Sequence, residues 1–582
     1  MIPNFTNFKV EIKNIKYINE EGIKFPKTAY IQFEIQGREK PIIEIMGYLE
    51  AEDIYSLIEN NKDVILDNCY INRFSISEYR HMKQLEEKQL VNLINFSAKN
   101  SLFDTGVPVD LSFCNFSGNH FNLSDSYFNN VSMNFTSSQF GDLLVNFHNL
   151  KFGKGDFNFS NVKIGAGEVI FKNAIFGNGK KDFQYTDFGR GEKKFENIEF
   201  GDGDVSFINT HFNTGNVSFK LSRFGNGKTD FHYAKFGTGD ISFERVDFGD
   251  NEINFRTVEF DEGKVNFNRS RFGTGNTYFD GSEINNGKMS FKRAEFLDGI
   301  LSFELLEMRD AELIFDNSLF GKGNISFYNS KIGTLSLNSC HLDNYTDLRL
   351  ADCDFLDLKN TIVRDILDIA SYDFIQNINI INFSGMILVG KINIHWDKNS
   401  VFNAISHQND SNDRLKSEQF RTLKENFKNC GLYNYEDYAY VSFKRYEAKA
   451  DFNELLDKNK FNALWLFPYQ FFKYLVFDKA GHFGTNPARV ILTMLITYLS
   501  FSFIYLVLIL FNAGNIIESV DHTAKISAFG RALYHSAITF FTIGYGDYYP
   551  QGWIQIFSGI EGFVGVFLMS YFTVAFVRKI LR

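Results

Sequence analysis

The sequence predicts a β-solenoid joined through helices to an all-α membrane domain with two spanning segments. Three observations carry that reading: Phe recurs every twelve residues through the middle of the chain, no Pro occurs between Pro108 and Pro468, and two long apolar stretches lie near the C-terminus. The 582 residues carry 60 Lys+Arg against 70 Asp+Glu, and the net charge of -10 argues against a nucleic-acid partner. Cys69, Cys114, Cys340, Cys353 and Cys430 show no paired spacing, so they predict buried thiols in a reducing compartment, with no disulfide framework or zinc site. The N-terminus lacks the apolar core and cleavage site of a signal peptide, which predicts a cytosolic location for the bulk of the chain.

Residues 1–100 read as a mixed α/β cap over one end of the solenoid, whose open edge would otherwise template aggregation. The solenoid itself is assigned to 101–394. Every twelfth position from Phe147 to Phe327 is Phe, and a second series five residues later runs from Phe152 through Ile164 and Phe176 to Ile332. Two residues before most of these Phe the side chain is small or β-branched, as at Val205, Thr210, Val217 and Ser222. Positions i and i−2 therefore form an inward pair at strand period, and the Asn, Asp, Lys, Ser and Glu between them face water. The missing prolines fit a ladder that needs every N–H. Glycines in the F-G-x-G pattern are read as turns with φ > 0. One such unit cannot bury its apolar face, but stacked units build a continuous core. A rectangular coil of two units, 24 residues, is expected; a 12-residue coil stays open, and at about 4.8 Å per coil the two predict lengths of roughly 40 and 85 Å. Calcium or phosphate binding by the GxGD loops is set aside, because the ligand set is incomplete and no helix N-terminus follows.

Residues 395–484 predict a helical linker with a turn at Gly431, ending in an aromatic, Lys-containing segment (461–483) suited to a membrane interface. The final domain, 485–582, holds the two apolar stretches. Residues 490–511 carry no charge and, at 1.5 Å per residue, are long enough to cross a hydrocarbon layer of about 30 Å. Residues 554–577 carry only Glu561, an intramembrane acid that must face a partner or water. Between them, 528–541 is apolar and too short to cross, and the irregular segment TIGYGDYYP follows it. Irregular backbone at membrane depth requires a re-entrant loop buried in protein or lining a water-filled path.

Thr542-Ile543-Gly544-Tyr545-Gly546-Asp547, placed between two spans and after a short helix, resembles the selectivity filter of potassium channels. The small-x-Phe-x-x quintets AKFGT, SRFGN and TDFGR resemble pentapeptide repeats, with two residues inserted into alternate quintets. Together they resemble pentapeptide-repeat-containing potassium channels of the two-transmembrane type. That resemblance implies a right-handed β-helix on a tetrameric pore domain, in which the carbonyls of Thr542, Ile543, Gly544 and Tyr545 replace the hydration shell of K⁺. It further implies that Phe567, Ser570 and Val574 line a cavity and that Tyr534 supports the filter by bonding Asp547. Gly565 is either the hinge of a gate or a packing contact. K⁺ in the filter is the only bound species implied. The partners are the lipid bilayer and three further copies in a homotetramer; a cytoplasmic ligand or protein on the solenoid stays open. Arg489, Arg578, Lys579 and Arg582 flank the spans and predict a multi-pass plasma-membrane protein with both ends cytoplasmic. An enzyme is not expected, since His211, His232 and Glu244 occur singly and no nucleophile-base pair can be drawn. The function expected is K⁺-selective conduction, with the solenoid assembling or gating the pore. Its alternatives are a nonselective cation channel and a membrane-anchored solenoid acting as a protein-binding scaffold.

Overall fold

The computed structural model describes residues 2–3, 5–458, 463–519 and 526–581. Phe461 and Asn462 of the aromatic segment, and Arg582 of the terminal basic cluster, lie outside the described residues. The chain divides into two units, Met1–Gln408 and Asn409–Arg582.

In the first unit, each ladder partner along one parallel sheet lies two repeat units beyond the last: Val109, Met133, Phe157, Lys181, Val205, Thr229, Ile253, Thr277, Leu301 and Ile325. The other faces advance by the same step, as in Val145 to Val169, Asn115 to Gln139 and Phe128 to Phe152. Each coil therefore has four short faces and consists of two units, which removes the single-unit coil. The ladder spacing of about 4.8 Å also sets the ring spacing. Phe147, Phe171, Phe195, Phe219 and Phe243 stack at centroid distances of 4.4–5.1 Å with nearly parallel planes. A second column meets the first edge-to-face, as at Phe231 and Phe243 (5.8 Å, 90°), the arrangement favoured by the ring quadrupole.

Buried hydroxyls bind successive coils. Ser222 donates to the Phe195 carbonyl at 2.6 Å and accepts the Ile198 N–H at 2.9 Å; Ser282 and Ser330 repeat the pair. These buried hydroxyls are thus satisfied as both donor and acceptor. The glycine expectation needs correction. The left-handed position recurs two residues after each inward Phe, at Asn149, Asn161, Asn173 and Asn197 and even at Leu221 and Thr257. Most F-G-x-G glycines have ordinary φ and serve close approach. A Cβ on Gly167 would lie 1.7 Å from the Leu143 carbonyl oxygen of the preceding coil.

Strands Asn7–Lys13, Lys27–Glu34 and Ile42–Tyr48 form an antiparallel meander that continues one solenoid face, Tyr48 pairing Tyr70 and Tyr70 pairing Leu102. Helices α1 (Ala51–Glu59) and α2 (Ile76–Met82) belong to this end. Parallel pairing already begins at Gly47 and Tyr48 on one face and at Val64 on another, and α2 lengthens the coil that runs from Tyr70 to its partner Leu102. At the other end the ladder steps from Ile325 to Thr346, then to Leu367 and Ile392. Two of these coils are shorter than two units and the last is slightly longer, which ends the Phe frame without ending the ladder. Helix α3 (Val401–Ser406) follows.

The second unit starts with α4 (Asp413–Asn429) and α5 (Tyr433–Lys458), joined by a turn in which Gly431 has φ 71°. Cys430 caps α4 and is exposed, unlike the other four thiols; a helix end leaves it outside the core assumed for it. Next come α6 (Ala463–Lys473), a π-turn over Tyr474–Lys479, α7 (Pro487–Leu510), α8 (Ala528–Phe540) and α9 (Trp553–Ile580). Asn486 caps α7 by accepting the Arg489 N–H at 3.0 Å, with Pro487 at the first helical position, where its missing N–H costs nothing. Helices α7 and α9 are long and apolar enough to cross a membrane. Their Ile491, Leu495, Leu499, Phe503, Ile556 and Phe563 are exposed in the single chain, unlike the side chains of a soluble core helix.

Candidate functional site

The segment between α8 and α9 begins where α8 closes. Thr542 N–H donates to the Thr539 carbonyl at 3.1 Å and Ile543 N–H to the Ile538 carbonyl at 2.8 Å. This is a Schellman close, and its left-handed position, usually glycine, is held by Thr542 (φ 54°). Gly544 (φ 64°) and Gly546 (φ 77°) are also left-handed, so left-handed backbone falls at every second residue from 542 to 546. A Cβ on either glycine would meet nothing within 4 Å; conformation alone requires them. Ile543 and Tyr545 are exposed, the latter at 71%.

Several bonds hold this segment from behind. Tyr534 on α8 donates to Asp547 Oδ2 at 2.7 Å. Strand Gly514–Glu518 pairs antiparallel with Tyr548–Gly552. Ser519 then bonds the segment's end through its N–H to the Asp547 carbonyl (2.8 Å) and its hydroxyl to the Gly546 carbonyl (2.7 Å). Arg531 donates to the Ile516 carbonyl at 2.9 Å, fixing α8 to that strand.

Glu561 is fully buried. Its carboxylate accepts from Tyr505 of α7 at 2.5 Å and from Ser536 of α8, so one acid on α9 joins all three helices. The sequence could not name these partners, although Tyr505 and Ser536 are polar residues in otherwise apolar helices. Gly565 sits where α9 passes the end of α8, and a Cβ there would lie 2.2 Å from the Phe540 carbonyl oxygen. Phe567, Ser570 and Val574 are all exposed on α9 in the single chain, as are Phe563 and Val566. At the far end of α9, Arg578 and Lys579 reach Asp437 of α5 at 3.3 and 2.8 Å, a link that nothing in the sequence pattern singled out. Among the described residues no group of His, Cys, Asp and Glu could hold a metal ion.

Residues 493–582, which begin within α7 and take in α8, the segment after it and α9, match the ion channel family. No curated protein and no solved structure matches the chain. The C-terminal segment is thus an ion-channel domain, a transport module in which no bond is made or broken, and it follows a β-solenoid through α4 and α5.

Proposed function

We propose that the chain is one subunit of a K⁺-selective channel. In this reading four copies place Thr542, Ile543, Gly544, Tyr545, Gly546 and Asp547 around a common axis, and the carbonyls of the first four of these residues take the place of water around K⁺. One observation carries it: a TIGYGD segment with left-handed backbone at Thr542, Gly544 and Gly546 lies between two membrane-length helices, with Tyr534 bonded to Asp547 behind it. Alternating backbone handedness lets successive carbonyls share one side, and the C-terminal end of α8 brings its negative dipole end beside them. Exposed Ile543 and Tyr545 support the tetramer, since at membrane depth neighbouring copies would cover them. Phe567, Ser570 and Val574 are the residues proposed to line the cavity, with Gly565 a packing site that also limits where α9 bends.

Arg489, Arg578 and Lys579 put the start of α7 and the end of α9 on the cytoplasmic side of the plasma membrane, and with them the solenoid. Its proposed role is to assemble or gate the pore. The bond from Asp437 to Arg578 and Lys579 supports gating through α5, because it grips the end of the helix proposed to line the pore. The test is K⁺ efflux from liposomes carrying the full chain, compared with Gly544→Ala. Efflux lost in the variant supports the filter. Equal efflux from both would overturn it, and a correctly assembled chain with no efflux under any condition favours the anchored scaffold.

A further inference from the structure

A cavity of about 790 Å³ lies within the second unit, between α5, the C-terminal part of α6, the π-turn and the first turn of α7. Its size suits a headgroup or a small ligand, and its charge is unbalanced. Each of the three acids lining it already has a cationic partner: Glu447 with Lys444 (2.7 Å), Asp451 with Arg414 (2.7 Å) and Asp478 with Arg445 (2.8 Å). Lys449, also on its wall, pairs with Asp413 (3.0 Å), which leaves Lys473, Lys479 and Arg489. None has a carboxylate partner among the described residues. Lys473 and Lys479 rest over the rings of Tyr469 and Tyr474 at 4.6 and 5.3 Å, and Arg489 donates to the Lys479 carbonyl at 3.0 Å, which turns its guanidinium toward the same wall. π-turns of this kind are frequent at functional sites.

Position supplies the second argument. Arg489 is the third residue of α7, so the cavity lies where that helix enters the membrane. Trp465, Phe467 and Phe471 of α6 are exposed, the composition of a helix lying at headgroup depth. Basic pockets at the cytoplasmic end of spanning helices suit phosphate headgroups.

We propose that this cavity binds the phosphate headgroup of an anionic phospholipid of the cytoplasmic leaflet, held by Lys473, Lys479 and Arg489. The proposal rests on the membrane placement of α7 and α9 and is independent of ion selectivity. The shared chemistry is a phosphate anion, and a free phosphate is the other source to be separated. The full chain in detergent is titrated with phosphatidylglycerol, phosphatidylcholine and inorganic phosphate, and bound lipid per chain is read by native mass spectrometry. Phosphatidylglycerol is expected to bind preferentially and to resist displacement by phosphate. Lys479→Gln weakens it about fivefold and Lys473→Gln/Lys479→Gln/Arg489→Gln about a hundredfold, whereas Lys458→Gln, outside the cavity, leaves it unchanged. Unchanged affinity in Lys479→Gln, or displacement by inorganic phosphate, overturns the proposal. Wash-resistant insertion into phosphatidylcholine vesicles is read in parallel. A chain that fails to insert sinks the membrane placement as well, and one that inserts but does not distinguish the two lipids sinks the headgroup site alone.

Discussion

At Gly544 and Gly546 the backbone is left-handed and the space around an added Cβ is open, whereas at Gly167 a Cβ would collide with the carbonyl of the coil below. The consequences differ. Ala at 544 costs about 1–2 kcal/mol of backbone strain and moves the neighbouring carbonyls, so Gly544→Ala should abolish K⁺ flux while the thermal unfolding of the solenoid is unchanged. Ala at 167 must pry two coils apart and is expected to destabilise the solenoid by more than about 2 kcal/mol; Gly106→Ala, with nothing within 4 Å, should be neutral in the same melt. The sequence makes both kinds of glycine conspicuous but cannot tell them apart, because close approach between coils is a tertiary fact. Lys181 and Lys193 escaped notice for a related reason. They occupy the inward i−2 position and are buried, and burial pushes both amines down to about 8. An unfolded lysine keeps its proton to about 10.4, so between these values the unfolded chain holds more protons and solenoid stability rises with pH. Lys181 Nζ has no hydrogen-bond partner among the described residues. Lys181→Met should raise the melting temperature at neutral pH by about 2–4 °C and reduce that pH dependence; an unchanged or lower melting temperature would contradict the burial cost.

At the scale of elements, α7 and α9 were legible because lipid restricts composition over some twenty residues, and α8 was legible because an apolar helix of thirteen residues, about 20 Å long, cannot cross. What joins them was not. Glu561 reads as an expensive acid, but its bonds to Tyr505 and Ser536 depend on how three helices pack. The same holds for Asp437, nearly buried and facing Arg578 and Lys579 across 141 and 142 residues of chain. If α5 transmits the state of the solenoid to the pore, Asp437→Asn should alter open probability in single-channel records and leave the K⁺/Na⁺ permeability ratio as it was. An altered ratio with unchanged gating would place the effect elsewhere. Tyr534→Phe removes the bond to Asp547 and should do the reverse: selectivity or steadiness of the open filter changes, with assembly intact.

For the molecule as a whole, the twelve-residue period announced the solenoid, while its two-unit coil follows from the chain turning four corners before it returns above itself. The ends were harder to read. The long coil from Tyr70 to Leu102 and the uneven last ones from Ile325 to Ile392 keep the ladder but break the Phe frame, so periodicity fades where pairing continues. A single chain leaves Ile543, Tyr545 and the apolar faces of α7 and α9 uncovered, and the proposed tetramer covers the filter residues; native mass of the detergent-solubilised chain should show four copies. The most direct measurement is the reversal potential of the reconstituted full chain with K⁺ on one side of a planar bilayer and Na⁺ on the other. A potential close to that of a K⁺ electrode is the predicted result. A potential near zero would mean a pore that does not distinguish the two ions and would contradict the assignment of Thr542, Ile543, Gly544 and Tyr545 as a K⁺ filter.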